Sequence, residues 1–116
     1  MYKVKILTKK EKMAVLEFEE LLLKRFPKRI RRLILFGSKA RGDSNRTSDL
    51  DILVVVRKNG KRVRHEIASL THEPIAHFGV DLSPIIIEEK EMRGWSPFLE
   101  HIKKEGITLW INKRNL

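Results

Sequence analysis

The run Gly37-Ser38-Lys39-Ala40-Arg41-Gly42, separated by six residues from Asp49-Leu50-Asp51, places a turn able to grip phosphate just upstream of two carboxylates. A glycine at the start of such a turn lets the backbone approach a ligand closely. The Ser38 hydroxyl and the N–H groups that open a helical turn can then donate to phosphate oxygens. Side chains on a strand alternate between faces, so Asp49 and Asp51 share one face with Cα atoms roughly 6.5 Å apart. At neutral pH two such carboxylates repel each other unless a cation lies between them. Hard oxygen donors suit Mg2+, which binds through one or two carboxylates while substrate phosphates fill other positions.

Asp81, at the start of a further apolar run, is a third candidate ligand, provided its strand lies beside the one carrying the aspartate pair. Three carboxylates could hold two ions roughly 4 Å apart, the arrangement for in-line displacement at phosphorus. Arg41 either contacts phosphate or pairs with Asp43 or a site aspartate. The loop is no Walker A motif, because Gly37-x-x-x-x-Gly42 is followed by Asp43-Ser44 rather than Lys-Ser/Thr. Taken alone, Asp-x-Asp is as readily a solvated strand entry and a lone Asp81 a strand cap. The combination favours chemistry.

The elements that must position these groups are legible from periodicity. Thr8-Lys9-Lys10-Glu11 matches a capping box, and Val15, Phe18, Leu22 and Phe26 recur at helical spacing up to Pro27. A buried strand is expected over about 31 to 37, a helical turn over 38 to 42, turn formers over Asp43 to Ser48, and a neighbouring strand from near Ser48. Asn59-Gly60 marks a turn, after which Val63, Ile67 and Leu70 predict one helix crossing back over the sheet until the region of Pro74. The third strand follows Gly79, and Pro84 within it argues for an edge or a bulge. Glu88 to Arg93 can open another helix. Ser96-Pro97 reads as an N-cap with Pro at the first helical position, ahead of a helix turning Phe98, Leu99 and Ile102 inward and ending at Gly106. Ile107 to Ile111 is a short strand expected to pair with an N-terminal edge strand over residues 2 to 7, and the residues from Asn112 onward are expected to fray. The fold class is α/β, a small mixed sheet of three to five strands with helices packed on it, in a single domain spanning residues 1 to 116.

Composition narrows the classes without choosing among them. Lys and Arg number 25 against 15 Asp and Glu, a formal charge of +10, which suits polyphosphate, nucleic acid or an acidic protein and equally a charge-rich, heat-stable surface. With no Cys, disulfides and thiolate metal sites are excluded. No apolar run reaches membrane-spanning length, so a cytoplasmic protein with no membrane partner is expected. The four histidines are scattered, and Trp95 and Trp110 read as core or half-buried packing before partner anchors.

Gly37-Ser38-x-Ala40-Arg41-Gly42, Ser48-Asp49-x-Asp51 and the later Asp81 together resemble the polymerase-β-like nucleotidyltransferase superfamily. The leading helix and the closing Phe98-x-x-x-Ile102-x-x-Glu105-Gly106-x-x-Leu109 extend the likeness, over nearly the whole chain, to its minimal nucleotidyltransferases (MNT). That resemblance implies the nucleotidyltransferase fold, with Asp49 and Asp51 as ligands to two Mg2+ ions. It implies Asp81 as ligand to the catalytic ion and helper in deprotonating the nucleophile, Gly37 and Ser38 as holders of the β- and γ-phosphates, and ATP as donor. It further implies a HEPN-domain toxin as partner, neutralised in a hetero-oligomer by transfer of AMP to a toxin tyrosine. Transfer to a small molecule or an RNA end is the competing enzyme reading, disfavoured by the lack of room for an acceptor lobe. A non-catalytic module binding toxin or RNA ranks below both, and RNA is the less favoured partner.

Overall fold

In the computed structural model, residues 7–42, 49–58 and 60–112 are described. The expected N-terminal strand (apart from Leu7), the Asp43 to Ser48 turn, Asn59 and the tail beyond Asn112 lie outside them. The order of elements is α1 (Lys9–Arg25), β1 (Ile30–Phe36), α2 (Ser38–Arg41), β2 (Leu50–Val56), α3 (Lys61–Ser69), α4 (His72–Phe78), β3 (Leu82–Glu88), α5 (Glu89–Met92), α6 (Pro97–Glu105) and β4 (Ile107–Ile111). The strands form one mixed sheet in the order β3-β2-β1-β4, with β1 antiparallel to both β2 and β4, and β2 parallel to β3.

The capping box forms as expected: the Thr8 side chain accepts the Glu11 N–H at 3.1 Å and the Glu11 carboxylate accepts the Thr8 N–H at 2.8 Å. From that cap, Val15, Phe18 and Leu22 bury one stripe of α1 against Leu33 and Leu35 of β1 and the even-numbered residues of β2. The other sheet face buries Ile34, Phe36, Leu53 and Val55 together with Leu99 and Ile102 of α6. β2 is therefore covered on both sides, which is why its sequence runs apolar without alternation.

A parallel β2–β3 pair needs a crossover, and here it is made by two helices where the sequence predicted one. α3 ends at Ser69, where the Ser69 and Thr71 hydroxyls donate to the carbonyls of Glu66 and Ala68, both at 2.7 Å. Pro74 then sits in the first turn of α4, where its missing N–H would have had no intrahelical partner. Pro74 opens a helix rather than closing one. Pro84 lies on the edge strand β3, opposite Ile52, as its lack of a ladder donor requires.

The closing segment departs from expectation at Phe98 and Trp95. Leu99 and Ile102 face inward, but Phe98 is 38% exposed and meets the core through an edge-on contact with Phe36, centroids 5.6 Å apart. Trp95 is 74% exposed, while Trp110 is half-buried. β4 pairs with β1, Leu35 opposite Ile107 and Arg32 opposite Ile111; the N-terminal strand expected beside it lies outside the described residues. Gly106 makes that turn possible, since a Cβ there would lie 2.7 Å from Ile34 Cγ2. Among the described residues no helix is long and apolar enough to cross a membrane.

Candidate active site

β1 ends at Phe36, which pairs with Asp51 across the antiparallel ladder. The chain then turns at Gly37, whose φ of 76° is open to glycine and strained for other residues. α2 is a single turn, closed by the Gly42 N–H donating to Ser38 O at 2.9 Å with Gly42 in the left-handed region. A Cβ on Gly37 would overlap the Asp51 carboxylate at Oδ2. The Gly-Ser turn and the second aspartate are thus in direct contact, and the glycine is required both for its φ and for lack of space. Gly37→Ala is expected to lower nucleotidyl transfer by roughly a hundredfold, the scale of a misplaced reacting geometry, with KM for the nucleotide rising; steady-state kinetics check it.

The third carboxylate is placed by strand register. Leu50 pairs with Leu82 and Asp51 with Ser83 in the parallel ladder, and the Leu50 N–H donates to the Asp81 carbonyl at 2.9 Å. One step back, Asp81 stands opposite Asp49. Registered neighbours share a face, so Asp49, Asp51, Asp81 and Ser83 extend the same row as Leu53, Val55 and Ile87, beyond the part buried by α6. Asp49 and Asp81 are exposed and Asp51 is half-buried. Burial raises the Asp51 carboxyl above its ordinary 3.8, the Asp49 charge raises it further, and the Arg41 guanidinium pulls part of the way back.

Among the described residues no group of three His, Asp or Glu side chains is gathered closely enough to hold a metal ion. The expected three-carboxylate cluster is therefore an alignment of positions on one sheet face, not a closed cage. The donor set still fits Mg2+. A half-buried carboxylate pushed up by its neighbour's charge gains from a cation, and this ion takes few protein ligands and relies on substrate phosphates for the rest.

Two contacts of the turn were not foreseen. Arg41 pairs with Glu105 at the end of α6, Nη1 to Oε2 at 3.5 Å, while its charge still acts on Asp51. Lys39, the variable position of the motif, is only 5% exposed and forms an ion pair with Glu11, itself 6% exposed. Glu11 thereby caps α1 with one carboxylate oxygen and holds the turn with the other. Burial alone would raise the Glu11 carboxyl, but the Lys39 ammonium and the Thr8 N–H outweigh it and hold it below its ordinary 4.5. The capping box located Glu11 in the sequence; no local signal links it to Lys39.

Comparison with known proteins agrees with this geometry. Residues 15–109 match the family model described as "Nucleotidyltransferase domain". A provisionally named protein adenylyltransferase of Methanocaldococcus jannaschii is 33% identical over 103 residues, covering 86% of this chain and 98% of its own. A solved toxin-antitoxin structure with AMP-PNP contains a chain 25% identical with a TM-score of 0.60, over 85% of this chain and 74% of that one. A chain of the complex between a tri-AMPylated Shewanella oneidensis HEPN toxin and its MNT antitoxin shares the fold at 18% identity and a TM-score of 0.51, over 89% and 76% of the two chains.

Proposed function

Given that this chain belongs to the nucleotidyltransferase domain family, we propose that it transfers AMP from ATP to a tyrosine hydroxyl of a partner HEPN-domain toxin, and so serves as that toxin's antitoxin. The observation that carries the transfer is the Gly37 turn seated on Asp51, with Asp49 beside it and Asp81 in register on the next strand. The protein acceptor is favoured by the similarity to a protein adenylyltransferase over nearly the whole of both chains and to a toxin-antitoxin complex with AMP-PNP.

In this reading Gly37 and Ser38 receive the β- and γ-phosphates through backbone N–H groups and the Ser38 hydroxyl. Arg41 adds positive charge on the same side. Asp49 and Asp51 would hold Mg2+, with Asp81 contributing to the ion nearest the acceptor; bound there, the metal would neutralise the developing charge and favour an ionised attacking oxygen. The tyrosine oxygen attacks the α-phosphorus, its bond to the bridging oxygen of the β-phosphate breaks, and pyrophosphate departs. Asp81, exposed at the sheet end, accepts the phenolic proton.

The test is co-expression with the protein encoded beside this gene, followed by incubation with α-labelled ATP and Mg2+. Label is expected on a tyrosine of that partner and is expected to vanish with EDTA. Label appearing only on a small molecule or an RNA end would overturn the protein acceptor.

A further inference from the structure

The opposite end of the sheet carries a second feature. β2 runs seven residues from Leu50 to Val56, so the start of β1 and the end of β2 lie about 20 Å from the aspartates. Arg25, Lys28, Arg29, Arg31 and Arg32 crowd one eight-residue stretch with no acid between them, and Arg57 joins them, its N–H donating to Arg29 O at 2.8 Å. Here two clefts of about 530 and 510 Å3 open, and Arg31 lines both. The first has Lys28, Arg31, Arg57, Asn112 and the half-buried indole of Trp110 along its wall and, among the described residues, no carboxylate; the second includes Glu89.

Arg31 is 11% exposed, yet its Nε makes no hydrogen bond among the described residues; Glu89 Oε2 approaches it at 3.5 Å without the alignment of one. A buried guanidinium nitrogen without a partner is costly. The Arg31 guanidinium, ion-paired to Glu89, adds a cation to the wall of both clefts.

We propose that this end of the sheet binds single-stranded RNA, with phosphates on Lys28, Arg31 and Arg57 and a base against Trp110. A phosphodiester chain brings in one repeating unit both the anion that the guanidinium groups need and the flat ring that suits an indole. An acidic peptide carries its anions and rings on separate residues, without that fixed repeat. Each cleft has the volume of a small-ligand site, and Arg31 and Asn112 line both. This surface is separate from the aspartate end and needs neither ATP nor an acceptor protein, so its failure would leave the proposed transfer untouched.

The experiment titrates the full chain, in a Trp95→Phe background, into a labelled oligoribonucleotide of about a dozen nucleotides at several salt concentrations. Trp110 emission is expected to quench on saturation. Lys28→Ala/Arg57→Ala is expected to weaken binding at least about tenfold and to make the log–log salt slope shallower by about 1.4, two phosphate contacts at roughly 0.7 each. Lys9→Ala/Lys10→Ala, the same charge change at the other end of α1, should alter affinity less than about twofold, below one phosphate contact. Equal weakening by both pairs would mean a diffuse charge effect and overturn the proposal. Displacement of the RNA by ATP, or heparin quenching Trp110 as RNA does, would overturn it too.

Discussion

Asp51→Asn is expected to reduce nucleotidyl transfer on the order of a thousandfold, the scale of losing one electrostatic contact aimed at a transition state, while leaving the metal-free protein at least as stable as the wild type. The two outcomes have one cause. Asp51 is half-buried, and burial together with Asp49 raises its carboxyl above 3.8. A carboxyl whose pKa is higher in the native than in the unfolded chain makes the native state hold more protons as pH rises from 3.8, so stability falls across that window and stays lower above it. The neutral amide removes this loss. Mg2+ is expected to raise the melting temperature of the wild type, since a ligand that binds only the native state stabilises it, and to do little for Asp51→Asn. A variant that melted well below the wild type in EDTA would show Asp51 to be structural. If it still neutralised the proposed partner toxin in a growth assay, binding would be the working mechanism.

The second large effect is on stability. Glu11→Gln keeps an oxygen to cap Thr8 but takes the Glu11 carboxylate away from the buried Lys39 ammonium, and Lys39→Met takes the ammonium away from the buried Glu11. Breaking a buried pair from one side costs about 3 to 5 kcal/mol, which for a chain of this size lowers the melting temperature by roughly 10 °C or more. Glu11→Gln/Lys39→Met removes both charges and is expected to recover most of that loss, a coupling that a double-mutant cycle measures. A second signature lies in pH. The Glu11 carboxyl is held below 4.5 in the native state, so its contribution is present above 4.5 and is lost as pH falls through the lowered value. Glu11→Gln flattens that acid limb. Since Lys39 sits inside the Gly-Ser turn, the single variants are also expected to raise KM for ATP. Single variants melting within about 2 °C of wild type, a shift well under 1 kcal/mol at this size, would show that the pair does not anchor the turn.

Glycine, serine and aspartate at 37, 38, 49 and 51 are legible in sequence because the chemistry of each is local: one φ, one hydroxyl, one alternation of side chains along a strand. The capping box at Thr8 and the cap at Ser96 are equally local, and both form. The split of the crossover into α3 and α4 escaped periodicity because Pro74 is compatible with the start of a helix as well as with the end of one. β4 was visible as a strand but not as the neighbour of β1, since strand pairing depends on which edge a connection can reach.

What the sequence by itself determined is the glycine turn, the aspartate pair and the elements that flank them, through contacts within a few residues of each other. Only the tertiary structure decided that Asp81 stands in register with Asp49, that Gly37 rests on Asp51, that Lys39 is buried on Glu11, and that the basic residues gather about 20 Å from the carboxylates, a strand's length away. Each of these joins residues on different strands or helices. Strand order, register and helix packing fix such distances, and no spacing along one segment encodes them.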